Sequence, residues 1–362
     1  MKPKKEMYHS LNLLKAIAIY FVLFYHDFFA NFNILESKDF SVYCNYFLRT
    51  ILSCCVPLFF FVNGALLLNK KLDIRKHIIK IFKIVIITVL WAIITIILSM
   101  FIKQEFLTPK EILSIIWHWK AGWVNHLWFL QAVVVIYTFL PLIKGAYDKE
   151  KSYFYFFFVM VMVLTFGNIF LSMVINVFEF VIHKNYLHQI NFNFFNGFNA
   201  FRGIYGYSLG YFMIGGLCFA NKERFMSKKM RIACFCIPIS MLGLMIYGLI
   251  ISTSENKAFD VVWDGYDSIF TLINVLAIFI LSLLYKGKGK IENIITLIGQ
   301  NSLGIYFVHV FLGAIFRPLY TQFVFSDNII VNAIYILVIL LLSLGFCLIM
   351  KKIPVIKKLF SI

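Results

Sequence analysis

The sequence predicts an all-α, polytopic membrane helix bundle of about ten transmembrane helices, with both termini cytoplasmic. Three observations carry that reading. Hydrophobic residues make up 61% of the 362, charged residues only 14%, and Phe alone accounts for 42. A soluble globule of this size needs far more charge on its exterior. Apolar runs long enough to cross a bilayer, roughly 17–25 residues each, recur along the chain. Basic residues also gather in alternate connecting segments.

The spans are expected at residues 11–32, 46–68, 78–102, 126–143, 153–175, 198–220, 232–251, 267–285, 299–323 and 329–350. The first run follows a basic stretch, as in a signal peptide. It has no small-residue cleavage site, however, and reads as a retained helix. Numbering the connections alternately puts 24 of the 34 basic residues on the side of the N-terminal tail. They cluster at 2–5, 70–83, 144–151, 222–231, 286–290 and 351–358. Acidic residues divide the other way, 10 against 6. An asymmetry sustained through every alternation makes the basic side cytoplasmic. The net charge of +17 therefore faces anionic headgroups and anionic cytosolic ligands, and no nucleic-acid partner is expected.

No linker or low-complexity tract interrupts the chain, so residues 1–362 read as one domain. Cys44, Cys54, Cys55, Cys218, Cys234, Cys236 and Cys347 lie mostly in apolar runs without C-x-x-C spacing; they read as small packing residues, and no metal site is evident. Segments 103–125, with WHWKAGW, and 176–197, with HKNYLHQINFNFFNG, are too long for simple turns. They read either as an interfacial aromatic belt or as part of an acceptor site.

Lys15, His26 and Asp27 are ionisable residues within the first run. Eleven residues advance a helix by roughly 16 Å and rotate it three turns plus about 20°, so Lys15 and His26 share a face. Burying such groups is costly, and they normally face a bundle interior or a wet cavity. Taken singly, Lys15 also reads as a side chain snorkelling to the headgroups, and His26 as a hydrogen-bonded ring. Asp27 diverges from His26 by about 100° and is not expected to orient it.

Four stretches resemble the acyltransferase 3 family of membrane acyltransferases. The first is KAIAIYFVLFYH, whose Lys15, ten residues and His26 match the family's Arg, ten residues and His. The others are PLFFFVNGALLL, with Asn63-Gly64 where the family has Ser-Gly, then HLWFLQAVVVIYTFLPLI and NSLGIYFVHVF, all in family order. The two departures matter: lysine offers a point charge in place of a bidentate fork, and Asn63 has no hydroxyl.

The resemblance implies transfer of an acyl group, usually acetyl, from cytosolic acyl-CoA to a hydroxyl of a cell-surface or lipid-linked glycan. Acyl-CoA is then a co-substrate, no bound cofactor is expected, and the protein resides in the cell membrane. His26 is the candidate general base, since an imidazole titrates near neutrality. Lys15, Arg75, Lys76, Lys80 and Lys83 are candidate partners of the coenzyme A phosphates; for the loop residues, topology alone is an equal explanation. Asn63 is the candidate oxyanion donor. Trp128, Tyr306 and His309 are expected in the substrate pocket by resemblance, and Arg202 either anchors its span or contacts acceptor. The rival readings are a transporter or flippase for a glycan or lipid-linked precursor, and a scaffold for glycan assembly.

Overall fold

The computed structural model describes residues 6–119, 122–183, 197–201, 203–225, 230–285 and 287–360. Among them the regular structure is entirely helical. In chain order the α-helices are α1 (Glu6–His26), α2 (Phe40–Thr50), α3 (Cys55–Leu67), α4 (Ile74–Lys103), α5 (Pro109–His118), α6 (Trp128–Lys149) and α7 (Lys151–Met162). They continue with α8 (Asn168–Ile182), α9 (Gly203–Ala220), α10 (Met230–Glu255), α11 (Ile269–Ser282), α12 (Gly289–Tyr320), α13 (Ile329–Met350) and α14 (Pro354–Lys357).

Among the described residues, eight helical segments are long and apolar enough to cross a membrane: Phe40–Leu67, Ile74–Lys103, Asn125–Lys149, Lys151–Ile182, Gly203–Ala220, Ile232–Glu255, Gly289–Tyr320 and Ile329–Met350. The other two expected spans are the helices α1, 21 residues long, and α11, 14 residues long. At 1.5 Å per residue α11 is about 21 Å long, short of a hydrocarbon core of about 30 Å.

Several boundaries differ from the expected ones, each for a local reason. The α3 segment begins at Phe40 because α2 runs into it through a tight turn, Ile51–Cys54. The fifth span extends to Ile182 because α7 and α8 are continuous through a π-turn at Val163–Gly167. Part of the expected 176–197 loop is therefore helix, and residues 184–196, with most of its Asn and aromatic side chains, lie outside the described residues, as does Arg202. The 103–125 segment contains α5, started by a capping box between Thr108 and Glu111. The expected 267–285 span shortens because residues 256–268 form a turn anchored by Val261 and Val262, both at 0% exposure.

Polar caps mark where helices begin. The Asp73 side chain accepts from the Lys76 backbone N–H at 3.1 Å at the start of α4. That bond is the main reason the Asp73 carboxyl is held below the usual carboxylate range. Asn328 caps α13 by accepting from the backbone N–H groups of Ile330 and Val331.

Lipid offers no hydrophobic drive between helices, so close packing depends on small residues. The central pair, α3 and α9, meets backbone to backbone. A Cβ on Gly64 would lie 1.7 Å from the Phe212 carbonyl oxygen, and one on Gly215 would lie 2.1 Å from that of Phe61. Helix α1 meets α12 the same way at Gly299, where a Cβ would fall 2.5 Å from the Asn12 carbonyl oxygen. At one end of the bundle His9 pairs with Glu292 and the Lys351 ammonium donates to Asn301 Oδ1. At the opposite end Arg49 pairs with Asp260 and Arg317 with Asp27.

Gly64→Ala should therefore destabilise the bundle by at least the roughly 1–3 kcal/mol typical of overpacking, read as a lower melting temperature of the purified protein in detergent. Gly345→Ala, whose Cβ meets nothing within 4 Å, should melt with the parent. Equal melting of all three would contradict the α3–α9 contact.

Candidate functional site

Lys15, Val22 and His26 follow one another on α1 at spacings of seven and four, which places them on a single stripe. That stripe opens onto two adjoining cavities. Lys15 lines a cavity of about 360 Å³ towards the end that carries Lys351, and His26 lines one of about 640 Å³ towards the end that carries Arg49. Val22 belongs to both, together with Val56, Phe129 and Tyr306. These four side chains form the partition.

The first cavity combines an apolar wall (Val62, Leu66, Ile84, Val133) with three lysines, Lys15, Lys80 and Lys351. Lys351 Nζ donates to Asn301 Oδ1 at 2.6 Å, and Lys80 Nζ stands 5.1 Å from the Tyr137 ring centroid. Burial is the main cause holding the Lys351 ammonium below the ordinary lysine value. Asn63 lines this cavity as well; its Oδ1 accepts from Tyr137 OH at 3.1 Å and its Nδ2 donates to the Phe59 carbonyl at 3.0 Å. Of the expected basic loop only Lys80 lines the cavity. Arg75 and Lys76 are exposed at the start of α4, with Lys76 3.5 Å from Asp73, and Lys83 is half-buried without reaching the cavity. The Phe360 side chain, delivered by the turn after α14, closes this cavity from the C-terminal side.

The second cavity is aromatic and polar. Trp119, Trp128, Trp263, Tyr25 and Tyr266 line it with His26, His126 and Arg49. Trp128 meets Trp263 edge-on at 5.2 Å and Tyr266 at 6.3 Å. Trp119 ends α5 in the left-handed region, φ 50°, a conformation a bulky residue rarely adopts. The segment after it is tied to α4, because Lys103 Nζ donates to the Gly122 carbonyl at 3.0 Å and lies 4.0 Å from the Trp123 ring. Arg49 is buried, 4.1 Å above the Phe32 ring and 3.3 Å from Asp260, whose other oxygen accepts from Tyr25 OH at 2.8 Å. Arg49 is thus internally neutralised.

His26 is exposed to cavity space, since it also lines a third cavity of about 330 Å³ between α4 and α12. Its ring centroid lies 5.3 Å from that of His309. His309 is buried and lines none of these three cavities. Its Nδ1 donates to the Tyr306 carbonyl at 2.7 Å, which fixes the tautomer and leaves Nε2 as the acceptor atom. Among the described residues His309 Nε2, His126 Nε2, Trp119 Nε1 and Tyr306 OH are all buried without a hydrogen-bond partner. Each such orphan costs about 1–3 kcal/mol. No group of three His, Cys, Asp or Glu side chains among the described residues is arranged to hold a metal ion.

Asp27 acts away from His26. Its carboxylate pairs with Arg317 of α12, with Nε at 3.0 Å. Its carbonyl accepts from Asn332 Nδ2 at 2.9 Å, and Asn332 Oδ1 accepts from the Phe29 N–H at 2.9 Å. The end of α1, and with it His26, is clamped to α12 and α13.

The residues the sequence left unmarked are His126, Arg49, Trp263, Tyr266 and Lys351. His126 stood in plain view in HLWFL, two positions before Trp128. Trp263 and Tyr266 come from the turn after α10, which apolar periodicity does not reveal.

A family model described as an acyltransferase domain matches residues 8–352, nearly the whole chain. No curated protein and no solved structure matches it.

Asn332 is fully buried and makes two bonds to the end of α1. Asn332→Ala should cost about 1–3 kcal/mol, visible as a reduced melting temperature in detergent. Unchanged melting would mean that the clamp contributes nothing to holding α1.

Proposed function

The chain belongs to the acyltransferase 3 family, and on that premise we propose that this membrane acyltransferase is an O-acyltransferase. It takes an acyl group, acetyl by preference, from cytosolic acyl-CoA and delivers it to a hydroxyl of a cell-surface or lipid-linked glycan. The observation that carries the reading is the pair of cavities, one lysine-lined and one lined by imidazoles and aromatic rings, with only Val22, Val56, Phe129 and Tyr306 between them.

The basic end of the bundle, taken as cytoplasmic from the charge asymmetry, suits a polyanionic donor. Lys15, Lys80 and Lys351 supply point charges for the phosphates of coenzyme A. The apolar wall between them and the partition suits the pantetheine arm and the acyl group. On the far side Trp128, Trp263, Tyr25 and Tyr266 offer the flat faces and polar edges on which sugar rings rest. The protein then resides in the cell membrane with its acceptor cavity towards the outer surface.

In this mechanism the acceptor hydroxyl lies in the aromatic cavity beside His26, which takes its proton as the oxygen attacks the thioester carbonyl at the partition. The carbon–sulfur bond breaks on collapse of the tetrahedral intermediate. The thiolate leaves towards the lysine-lined cavity, and the proton held by His26 completes the free thiol. Holding both reactants against one thin wall supplies proximity that free diffusion cannot.

Labelled acetyl-CoA supplied to membranes should place label in the surface glycan. His26→Ala should lower that incorporation by about 10²-fold or more while its abundance in the membrane stays that of the parent; full transfer by this variant would remove the assignment of the base. Glycan export lost without any label incorporated by the parent would favour the transporter. Lys15→Ala and Lys351→Ala should each raise the half-saturating acetyl-CoA concentration by about tenfold, the effect of losing one charge-assisted contact. An unchanged concentration dependence would leave those lysines as topological charges.

A further inference from the structure

We propose that the Tyr306 hydroxyl is the oxyanion donor of the transfer reaction, a catalytic role beyond lining the pocket. The inference rests on the acyltransferase reading above. Four residues separate the two cavities, and Tyr306 is the one among Val22, Val56, Phe129 and Tyr306 whose side chain carries a group able to donate a hydrogen bond. Whatever carbonyl meets an attacking hydroxyl at that wall meets it beside this phenol.

The hydroxyl is buried and, among the described residues, without a partner. Buried polar groups are almost always satisfied, and one left unpaired on a side chain that lines both cavities calls for a partner that the resting protein does not supply. A phenol keeps its proton at neutral pH and therefore donates. Its ring lies 6.1 Å from that of His126 and 6.0 Å from that of His309, which itself stands beside His26. Base and donor thus flank the same wall. Asn63, the donor expected from sequence, lines only the lysine side, and both ends of its amide are engaged by Tyr137 and Phe59.

The electron balance is simple. The acceptor oxygen forms a bond to the thioester carbon while its proton passes to His26, and the carbonyl π pair moves onto oxygen, where Tyr306 OH donates to it. On collapse the carbonyl re-forms, the carbon–sulfur bond breaks, and the departing thiolate takes the proton from His26. Tyr306 is unchanged at the end. Because the phenol bonds to the oxyanion and meets no partner in the resting state, its stabilisation is specific to the transition state.

The test is Tyr306→Phe in the full-length protein in its membrane, assayed with labelled acetyl-CoA and the native surface glycan. Incorporation at saturating donor should fall by about 10²-fold, while the half-saturating acetyl-CoA concentration stays within about twofold of the parent, as expected when an interaction made only in the transition state is removed. Purified Tyr306→Phe should also melt at or above the parent's temperature, since it discards an unpaired buried hydroxyl. Transfer at the parent's rate would overturn the proposal, and so would a rate loss matched by weaker donor binding and lower melting, which would mark a merely structural residue. Should the variant fail to reach the membrane, a fluorotyrosine installed at position 306 keeps the ring and the hydroxyl while making the phenol a stronger hydrogen-bond donor. Incorporation at saturating donor should then rise above the parent's with the half-saturating acetyl-CoA concentration unchanged, and a rate no higher than the parent's would overturn the proposal. Absence of label transfer by the unaltered protein overturns both this inference and the reading beneath it.

Discussion

A hydrocarbon core gives polar side chains no water, so every such group on a buried helix must find its partner within the protein or face a cavity. Helix α1 concentrates that demand. It carries Asn12, Lys15 and His26 within the bundle and ends on Asp27. The surrounding helices are arranged to answer it: Arg317 of α12 and Asn332 of α13 engage Asp27, while cavities receive Lys15 and His26. Those two cavities exist because α1 cannot be sealed in by apolar neighbours on that stripe.

The glycine contacts work to the same end from the other direction. Where α3 meets α9 at Gly64 and Gly215, and α1 meets α12 at Gly299, backbones touch and nothing is left open. Away from these seams, open volume lies along the Lys15–Val22–His26 stripe, and a separate apolar cavity of about 500 Å³ lies on another face of α1, against α11 and α13. The orphaned groups along the stripe, His126 Nε2, His309 Nε2 and Tyr306 OH, cost stability where they stand, as do others elsewhere in the bundle such as the Asn274 amide and the Ser208 hydroxyl. His126 and Tyr306 line a cavity, where a ligand can supply the missing bond.

How much of this was legible in the sequence follows from the range of the physics involved. The helical class and the Lys15–His26 face rest on composition and on spacing within single helices, and both can be read from a string. Lys351 could not be read that way, because its position in the tail looked like topological charge and its cavity is built by α1, α3, α4, α6 and α12. Arg49 carried no mark in the sequence, because its partner Asp260 lies more than two hundred residues away. Arg75 and Lys76 looked like phosphate ligands because a basic loop has no internal sign of which side chains turn inward; in the structure they stay exposed at the start of α4. Asn63, expected as an oxyanion donor, lines the lysine-side cavity with its Nδ2 bonded to the local Phe59 carbonyl and its Oδ1 to the distant Tyr137, a contact that spacing along one helix does not reveal.

Helix α11 is too short to cross the bilayer, and none of its residues is exposed. Its neighbours cover most of it, Ile278, Leu281 and Ser282 line an apolar groove beside α1 and α13, and the turn at 256–268 leads into its first residue. A change in lipid thickness acts on elements that touch lipid, through hydrophobic mismatch and tilt. The peripheral ring absorbs such a change, and Trp263 and Tyr266, seated on this inner pedestal, keep their depth relative to His26. The aromatic cavity that Trp263 and Tyr266 line is thereby less coupled to bilayer thickness than the long helices at the periphery.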